Sequence, residues 1–492
     1  MLLATEDDPT KGCVISVHDV VPVGAAGELA GFRQEFYDCL TARADTLFEL
    51  CDAVLCADGP VVSLPELSLV VEHRRGHGAL YDSVNEGRID DDRFRDVVAV
   101  QPIPRCADGR IVLAIDVSNW LRPDAGTSPD RLFCHTYARG KGQAQMIPGW
   151  PYSVVAALEP GRTSWTAILD ARRLGPDDEN TPVAAAQLRG VVERLIAAGQ
   201  WQEGDPAIWI VGDTGYDGPR LAFLLADLPV EVLVRLRSDR VMAFPAPPRT
   251  AETVGRPHRH GPEFAFKDPG SWPAPDQTTT IDTTRYGTAV ARSWDRLHPR
   301  LTHRGVWADH EGDVPVMEGT VIRLQVDHLP GDGAPKPLWL WYSATGADAA
   351  TVNMLWQMFL RRFDLEHTFR FLKQTLGWTR PRLRDPQAAD RWTWLIIAAY
   401  TQLRLVRYLV EDLRRPWERA PAAPGRLTPA RVRRGFRNIG PATSSPASAP
   451  KPTRPGPGRP PGSRNKHRAV VCHVGKTTKT DTKVTAATTQ TG

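Results

Sequence analysis

Between residues 106 and 237 the chain passes from a succession of strand-like runs to strand and helix in alternation, an order that admits few topologies. RIVLAIDV is a continuous apolar run of strand length, and RLFCHTYA, WPYSVVAAL and TSWTAILDARRL are β-rich segments separated by Pro, Gly and Asp. TPVAAAQLRGVVERLIAAG follows as an amphipathic helix closed by Gly. After it come the strand AIWIVGD, the short helix YDGPRLAFLLADL and the strand VEVLVRLRS. A succession of strands, then helix, strand, helix, strand predicts a mixed sheet that begins as an antiparallel meander, ends in helix crossovers and is covered by helices.

The flanks divide by pattern. Residues 1–105 carry helical periodicity and a basic, Gly-rich turn (Arg74, Arg75, Gly76, His77, Gly78), the outline of a helical N-terminal domain with a helix-turn-helix-like DNA reader as one reading. Residues 238–337 are rich in Pro, Gly, Arg and Thr with short β-like pieces, a β-rich insertion after the first part of the core at 106–237. Residues 338–412 resume buried character with WLWYSA and two long helices, roughly 348–376 and 387–412. From 413 to 492 the chain reads as a basic, largely disordered tail. Within the tail, PGPGRPPGSRNK resembles an AT-hook, with Arg459 flanked by Gly and Pro as a minor-groove contact.

Charge is distributed unevenly. The net charge of +4 conceals a basic end on a mildly acidic body: from Arg414 onward Lys and Arg far outnumber the acids, Glu418 and Asp481. Such an appendage suits a polyanion, or serves simply as a solubilising tail. No apolar run is long enough to cross a membrane, and MLLATEDDPTKG is acidic where a signal peptide is basic, so a cytoplasmic protein is expected. The seven cysteines are scattered without paired ligand spacing, which points to neither a disulfide framework nor a zinc module.

Three carboxylates break the hydrophobic pattern. Asp116 is the lone charge in IVLAIDV, and Asp213 ends the apolar strand in AIWIVGDTGYDG. Either acid taken alone is read more simply as the cap of its turn. The third lies in RRFDLEHTFRFLKQTLG, residues 361–377. At about 100° per residue, Arg362, Glu366 and Lys373 share a narrow sector with Phe359, at the border of the stripe formed by Met358, Leu365, Phe369, Leu372 and Leu376. Arg361, Asp364, His367 and Thr368 are expected to point away. The simpler account of Glu366 is an Arg362–Glu366 surface salt bridge, which leaves the other residues unexplained. Three converging carboxylates repel one another unless a cation joins them, and Mg²⁺ takes oxygen ligands of this kind.

An acid on the first strand, an acid after the fourth and an acid on a later helix beyond an insertion resemble the RNase H-like core of DDE transposases. Phe359-x2-Arg362-x3-Glu366-x6-Lys373 is similar to the Tyr-x2-Arg-x3-Glu-x6-Lys signature of one large branch of insertion-sequence transposases, with Phe359 in place of the tyrosine. The likeness spans about residues 106–412. It implies metal-dependent DNA cleavage and strand transfer at transposon ends, with Asp116, Asp213 and Glu366 as catalytic ligands of two ions, Mg²⁺ or Mn²⁺. It implies Arg362 and Lys373 on DNA phosphates, with Arg235 and Arg237 extending that track unless they are ordinary surface charges. The implied partners are double-stranded DNA, both terminal repeats and target, and a second copy of the chain when DNA is bound. Trp294 and Trp307 are candidates for stacking on a base, with core packing as the simpler role. Two further readings stay open: a nuclease on the same core that cuts without joining, and a DNA-binding relative without strand joining. A nucleotide-binding enzyme, suggested by GDTGYDG, has no G-x-G-x-x-G or P-loop behind it.

Overall fold

The computed structural model describes residues 24–136, 145–161, 163–249, 257–329, 335–421, 426–439, 445–451 and 469–476, with the single residues 255 and 462. Five helices open this part of the chain: α1 (Ala25–Asp38), α2 (Ala44–Cys56), α3 (Leu64–Leu67), α4 (His77–Glu86) and α5 (Asp91–Ala99). Two short strands, β1 (Leu40–Ala42) and β2 (Arg88–Ile89), pair antiparallel among them.

The core strands follow as β3 (Val112–Leu121), β4 (Leu132–Thr136), β5 (Gln145–Leu158) and β6 (Thr166–Arg173). Then come α6 (Asn180–Ala197), β7 (Ile208–Gly212), α7 (Gly218–Leu224) and β8 (Val230–Leu236). β5 lies antiparallel to both β3 and β6, while β7 runs parallel to β3 and to β8. The meander-then-crossover order read from the sequence is thus realised as a mixed sheet, with β4 added beside β5. The helix α7 starts where Asp217 accepts a hydrogen bond from Arg220 N with Pro219 in the first turn, a cap that turns the chain sharply after β7.

The stretch read as an insertion supplies β9 (Val241–Pro245), β10 (His260–Ala265), β11 (Gln277–Thr283), β12 (Gly287–Leu297) and β13 (Gly319–Val326). β9 and β10 form a separate two-stranded sheet. β11, β12 and β13 continue the main sheet through β14 (Leu338–Tyr342), which pairs antiparallel with β8, and ten strands result. Gly319 allows this junction: a Cβ there would stand 2.2 Å from the Tyr342 carbonyl oxygen.

Each face of the sheet carries its own core because successive strand residues point to opposite sides. Leu113, Ile115, Ile210, Val232 and Val234 pack with α6, α7 and the Trp294–Trp339 aromatic group on one face. Ala114, Val211, Leu233 and Leu340 face the other, against α8 (Ala349–Arg361), α9 (Phe363–Gln374) and α10 (Pro386–Leu405). Asp348 caps α8 and Asp385 caps α10, each accepting from a backbone N–H of the first turn. α10 is buried along nearly its whole length, because α1 and α2 cover the side that the sheet does not: Arg33 donates to Gln402 and to Asp52, and the Cys51 thiol meets the Leu395 carbonyl. The N-terminal helices therefore share one apolar core with the helices that follow the insertion.

Two expectations from periodicity need correction. The helix expected over roughly 348–376 is broken at Arg362, whose N–H bonds to Phe359 O and whose carbonyl accepts from Leu365, the tighter three-residue spacing. The helix expected to reach 412 ends at Leu405. Part of the stretch expected to lack order also carries structure: α11 (Pro429–Ile439) buries Val432 and Phe436, and Arg433 donates to the carbonyls of Val54 and Gly59. Among the described residues no helix is long and apolar enough to cross a membrane, and the described cysteines are free thiols.

Candidate active site

The parallel strands bring Asp116 and Asp213 side by side. β3 and β7 pair Leu113 with Ile210 and Ala114 with Val211, and the same offset carried two residues on sets Asp213 level with Asp116. Adjacent strands are about 4.8 Å apart, and the Asp213 charge acts on Asp116, so the two carboxylates are neighbours where β7 ends beside the middle of β3. The β7–β8 register, Val211 with Leu233 and Gly212 with Val234, continues to Arg235 at the same level. Asp116 and Arg235 follow Ala114 and Leu233 by two residues and share their face, the one covered by α8 and α9.

Glu366 reaches this corner from α9. Arg362 joins the two elements: its Nη1 donates to Asp116 Oδ2 at 2.6 Å and its Nη2 stands 3.4 Å from Glu366 Oε1. The Arg362 side chain is 7% exposed, Asp116 16% and Glu366 51%, so the guanidinium is inside and Glu366 stands at the mouth. Burial raises the Asp116 pKa from 3.8 to about 6 against the opposing pull of Arg362, and the negative charges of Asp213 and Glu366 push it the same way as burial. Asp116 Oδ1 accepts from Val117 N, and Asp213 Oδ1 from Gly215 N, so each acid also caps its own turn. Tyr216 closes the floor; its ring would meet a Cβ at Gly212 at 3.3 Å. Its hydroxyl approaches Ser153 without hydrogen-bond geometry, and burial beside Asp116 and Asp213 drives its pKa far up. Nothing in the sequence marks this tyrosine, an aromatic in a polar turn.

The other predicted residues are placed less uniformly. Lys373 donates to the Asn119 carbonyl at 2.9 Å and lies over the Trp378 ring, and burial lowers its pKa to about 8. Arg235 is exposed, whereas Arg237 is paired with Asp239 at 2.8 Å. Arg459 lies outside the described residues. Phe359 is buried, as are Trp294, in the aromatic group around Phe264 and Trp339, and Trp307, beside Phe223. Arg74 and Arg75 of the N-terminal turn are engaged with Glu49 and with backbone carbonyls of Ala447 and Ser448.

The face of α9 expected to point outward is partly an inner one. Asp364 and Thr368 are buried, and Arg361, half-buried, pairs with Asp364 and donates to Thr163 O. The break at Arg362 advances the helix phase, which an uninterrupted 100° step does not include. His367 remains exposed, and the β11–β12 turn brings the positive charge of Arg285 to bear on Arg361, Asp364 and His367. Arg285 and Arg370 give the mouth beside Glu366 a cationic rim, and their charges, after burial, lower the His367 pKa from its usual 6.5.

Asp364 yields a pH prediction. Burial lifts its pKa from 3.8 to about 7. The folded state thus holds this proton more tightly than the unfolded chain: the group's stabilising contribution is complete below about pH 4 and is lost as pH rises through 7. Asp364→Asn is expected to match the wild type only below about pH 4 and to exceed it at pH 8 by on the order of 1–3 kcal/mol, read from urea unfolding at the two pH values.

The strand order β8-β7-β3-β5-β6, with an acid midway along β3, just past its last pairing with β7, and another just after β7, is that of an RNase H-like core. A family model described as DDE superfamily endonuclease matches residues 35–300, just over half of the chain, and the protein belongs to that family. The match includes both strand-end aspartates and stops short of Glu366. No curated protein matches the chain. The family is one of transposase-like DNA endonucleases, which generally use divalent metal ions.

The donor chemistry of the corner suits such an ion: carboxylate oxygens are what hard divalent cations take, and Asp116 is held beside two other negative charges. In the arrangement described the cation among them is Arg362. Among the described residues no three His, Cys, Asp or Glu side chains are grouped closely enough to share an ion.

Proposed function

We propose that this protein is a DNA transposase of the branch with the Tyr-Arg-Glu-Lys signature, cleaving DNA at transposon ends and joining the freed strand to a target. The observation that carries the reading is the tie between the signature helix and β3, with Arg362 spanning Asp116 and Glu366 while the Asp213 charge acts on Asp116. Asp116, Asp213 and Glu366 would hold the metal, taken here as two Mg²⁺ or Mn²⁺ ions; bound there, the ions supply an activated water or 3′-hydroxyl and charge stabilisation for in-line attack on phosphorus. The chain's own cations would fix the DNA: Arg362 stands against Asp116, Arg235 lies near the end of β8, and Arg285 and Arg370 form the rim. Lys373, tied to Asn119, would orient the end of β3 unless DNA draws it off. A second copy of the chain would serve the second transposon end.

The test is incubation of the purified chain with labelled duplexes bearing the inverted repeats that flank its gene, plus a target plasmid and Mg²⁺. Cleaved ends together with joined product are expected. Cleavage with no joined product would instead support the cut-only nuclease, the activity named in the family's description. Binding that is independent of metal, with no cut strand, would leave only a DNA-binding role.

A further inference from the structure

We infer that Arg362 is a resident counter-cation that keeps the metal site closed until DNA phosphate draws it away. This rests on the reading of Asp116, Asp213 and Glu366 as the ion-holding set. The guanidinium takes Asp116 Oδ2 at 2.6 Å and reaches Glu366 Oε1 at 3.4 Å, so it fills the position between two of the three proposed ligands. A divalent ion that takes the same oxygen must displace it, because two cations cannot share one carboxylate oxygen at contact distance without strong repulsion. The space between Asp116 and Glu366 is thus occupied by a side chain of the opposite charge.

Arg362 is built to leave. It sits at the break between α8 and α9, and its ion pairs use only the side chain, so a rotamer change releases them without unwinding either helix. Its Nε has no hydrogen-bond partner, and only Nη1 makes a short contact. The way out passes over Phe363, which is 41% exposed and lies 5.1 Å beneath the guanidinium, so stacking is kept as the charge moves outward. Outside stand Arg285 and Arg370, a rim that attracts the phosphate backbone. A phosphate offers a guanidinium two oxygens in the fork geometry it prefers. Exchange of Asp116 for phosphate would free the carboxylate only when substrate is present, which couples ion loading to DNA binding.

The test is Mn²⁺ binding without turnover, followed by loss of the free-ion paramagnetic resonance signal, in wild type, R362Q, R362K and D116N, with the ion alone as probe. R362Q is expected to bind Mn²⁺ at least about tenfold more tightly than wild type in the absence of DNA, the return from one charge-assisted hydrogen bond no longer to be broken. R362K, which keeps the charge but cannot span both carboxylates, should fall between them. A short duplex, with the uptake of the duplex alone subtracted, should tighten wild-type binding by a similar factor and R362Q hardly at all. Equal affinity in wild type and R362Q overturns the inference. If R362Q does not fold, the wild-type arm decides, and an affinity unmoved by DNA overturns it equally. D116N separates the two claims. Binding unchanged in D116N places the ion elsewhere and removes the site reading together with the inference, whereas binding lost in D116N with no gain in R362Q removes the inference alone.

Discussion

Asp116→Asn is expected to lower metal-dependent strand cleavage by about a thousandfold or more, on the order of 4 kcal/mol of barrier, while leaving the fold and duplex binding close to wild type. An amide has the shape of the carboxylate but not its charge, so it cannot hold a divalent ion against water. The change is mild for the fold for the same reason that it is severe for the chemistry. Asp116 is kept ionised in a place whose burial raises its pKa to about 6, and a neutral group there avoids that cost. Arg362 still finds an amide oxygen and Glu366. Asp213→Asn and Glu366→Gln should have the same effect on cleavage, Glu366→Gln with the least effect on stability, since half of its side chain is already in solvent. The measurements are cleavage of a labelled duplex end, duplex affinity by titration and the unfolding midpoint. Wild-type cleavage in Asp116→Asn would remove this residue from the site.

Arg407→Met is expected to lower the free energy of unfolding by about 3–5 kcal/mol, the usual cost of leaving one half of a buried ion pair. Arg407 Nη1 donates to Glu159 Oε2 at 2.6 Å, with the two side chains 6% and 10% exposed, and its Nη2 meets the Tyr408 hydroxyl. The pair pins the chain just beyond α10 to the turn after β5, directly behind the Arg361–Asp364 pair on which the Glu159 charge also acts. Without Arg407 the Glu159 carboxylate keeps only the more distant Arg404 and Arg361, which favours the lower end of the range. The double variant Arg407→Met with Glu159→Leu should recover most of the loss, because neither member of the pair is then left buried without the other. Urea unfolding of the single and double variants measures both, and a single-variant loss under about 1 kcal/mol would mean that water reaches this pair.

Asp116 and Asp213 stood out because each is a charge following an apolar run, and such a charge requires a reason; that Asp116 lies midway along β3 and not at its end was not readable, because the strand continues as SNWL against β5. Glu366 was legible only as a member of a spaced signature, and its tie to Asp116 could not be read because it depends on where α9 lies. Asp364 was misread, and with it Thr368 and Arg361. A wheel turned at a constant angle assumes an unbroken helix, and three-residue hydrogen bonds at Arg362 shift every later side chain. The α11 helix was missed because its arginines resemble a solvated tail; Arg433 and Arg437 instead donate to carbonyls at the end of α2 and just after it, partners remote in sequence.

By itself the sequence determined the order of the core strands and helices and the presence of a β-rich stretch before the glutamate helix, since these follow from hydrophobic period and local composition. Tertiary structure alone decided that β11, β12 and β13 prolong the main sheet, that the first helices share a core with α10, and that Arg362 occupies the gap between Asp116 and Glu366. The reason is distance along the chain. Asp116 and Arg362 are 246 residues apart, and no local pattern can encode a contact that exists only after the sheet has paired and α9 has packed across it.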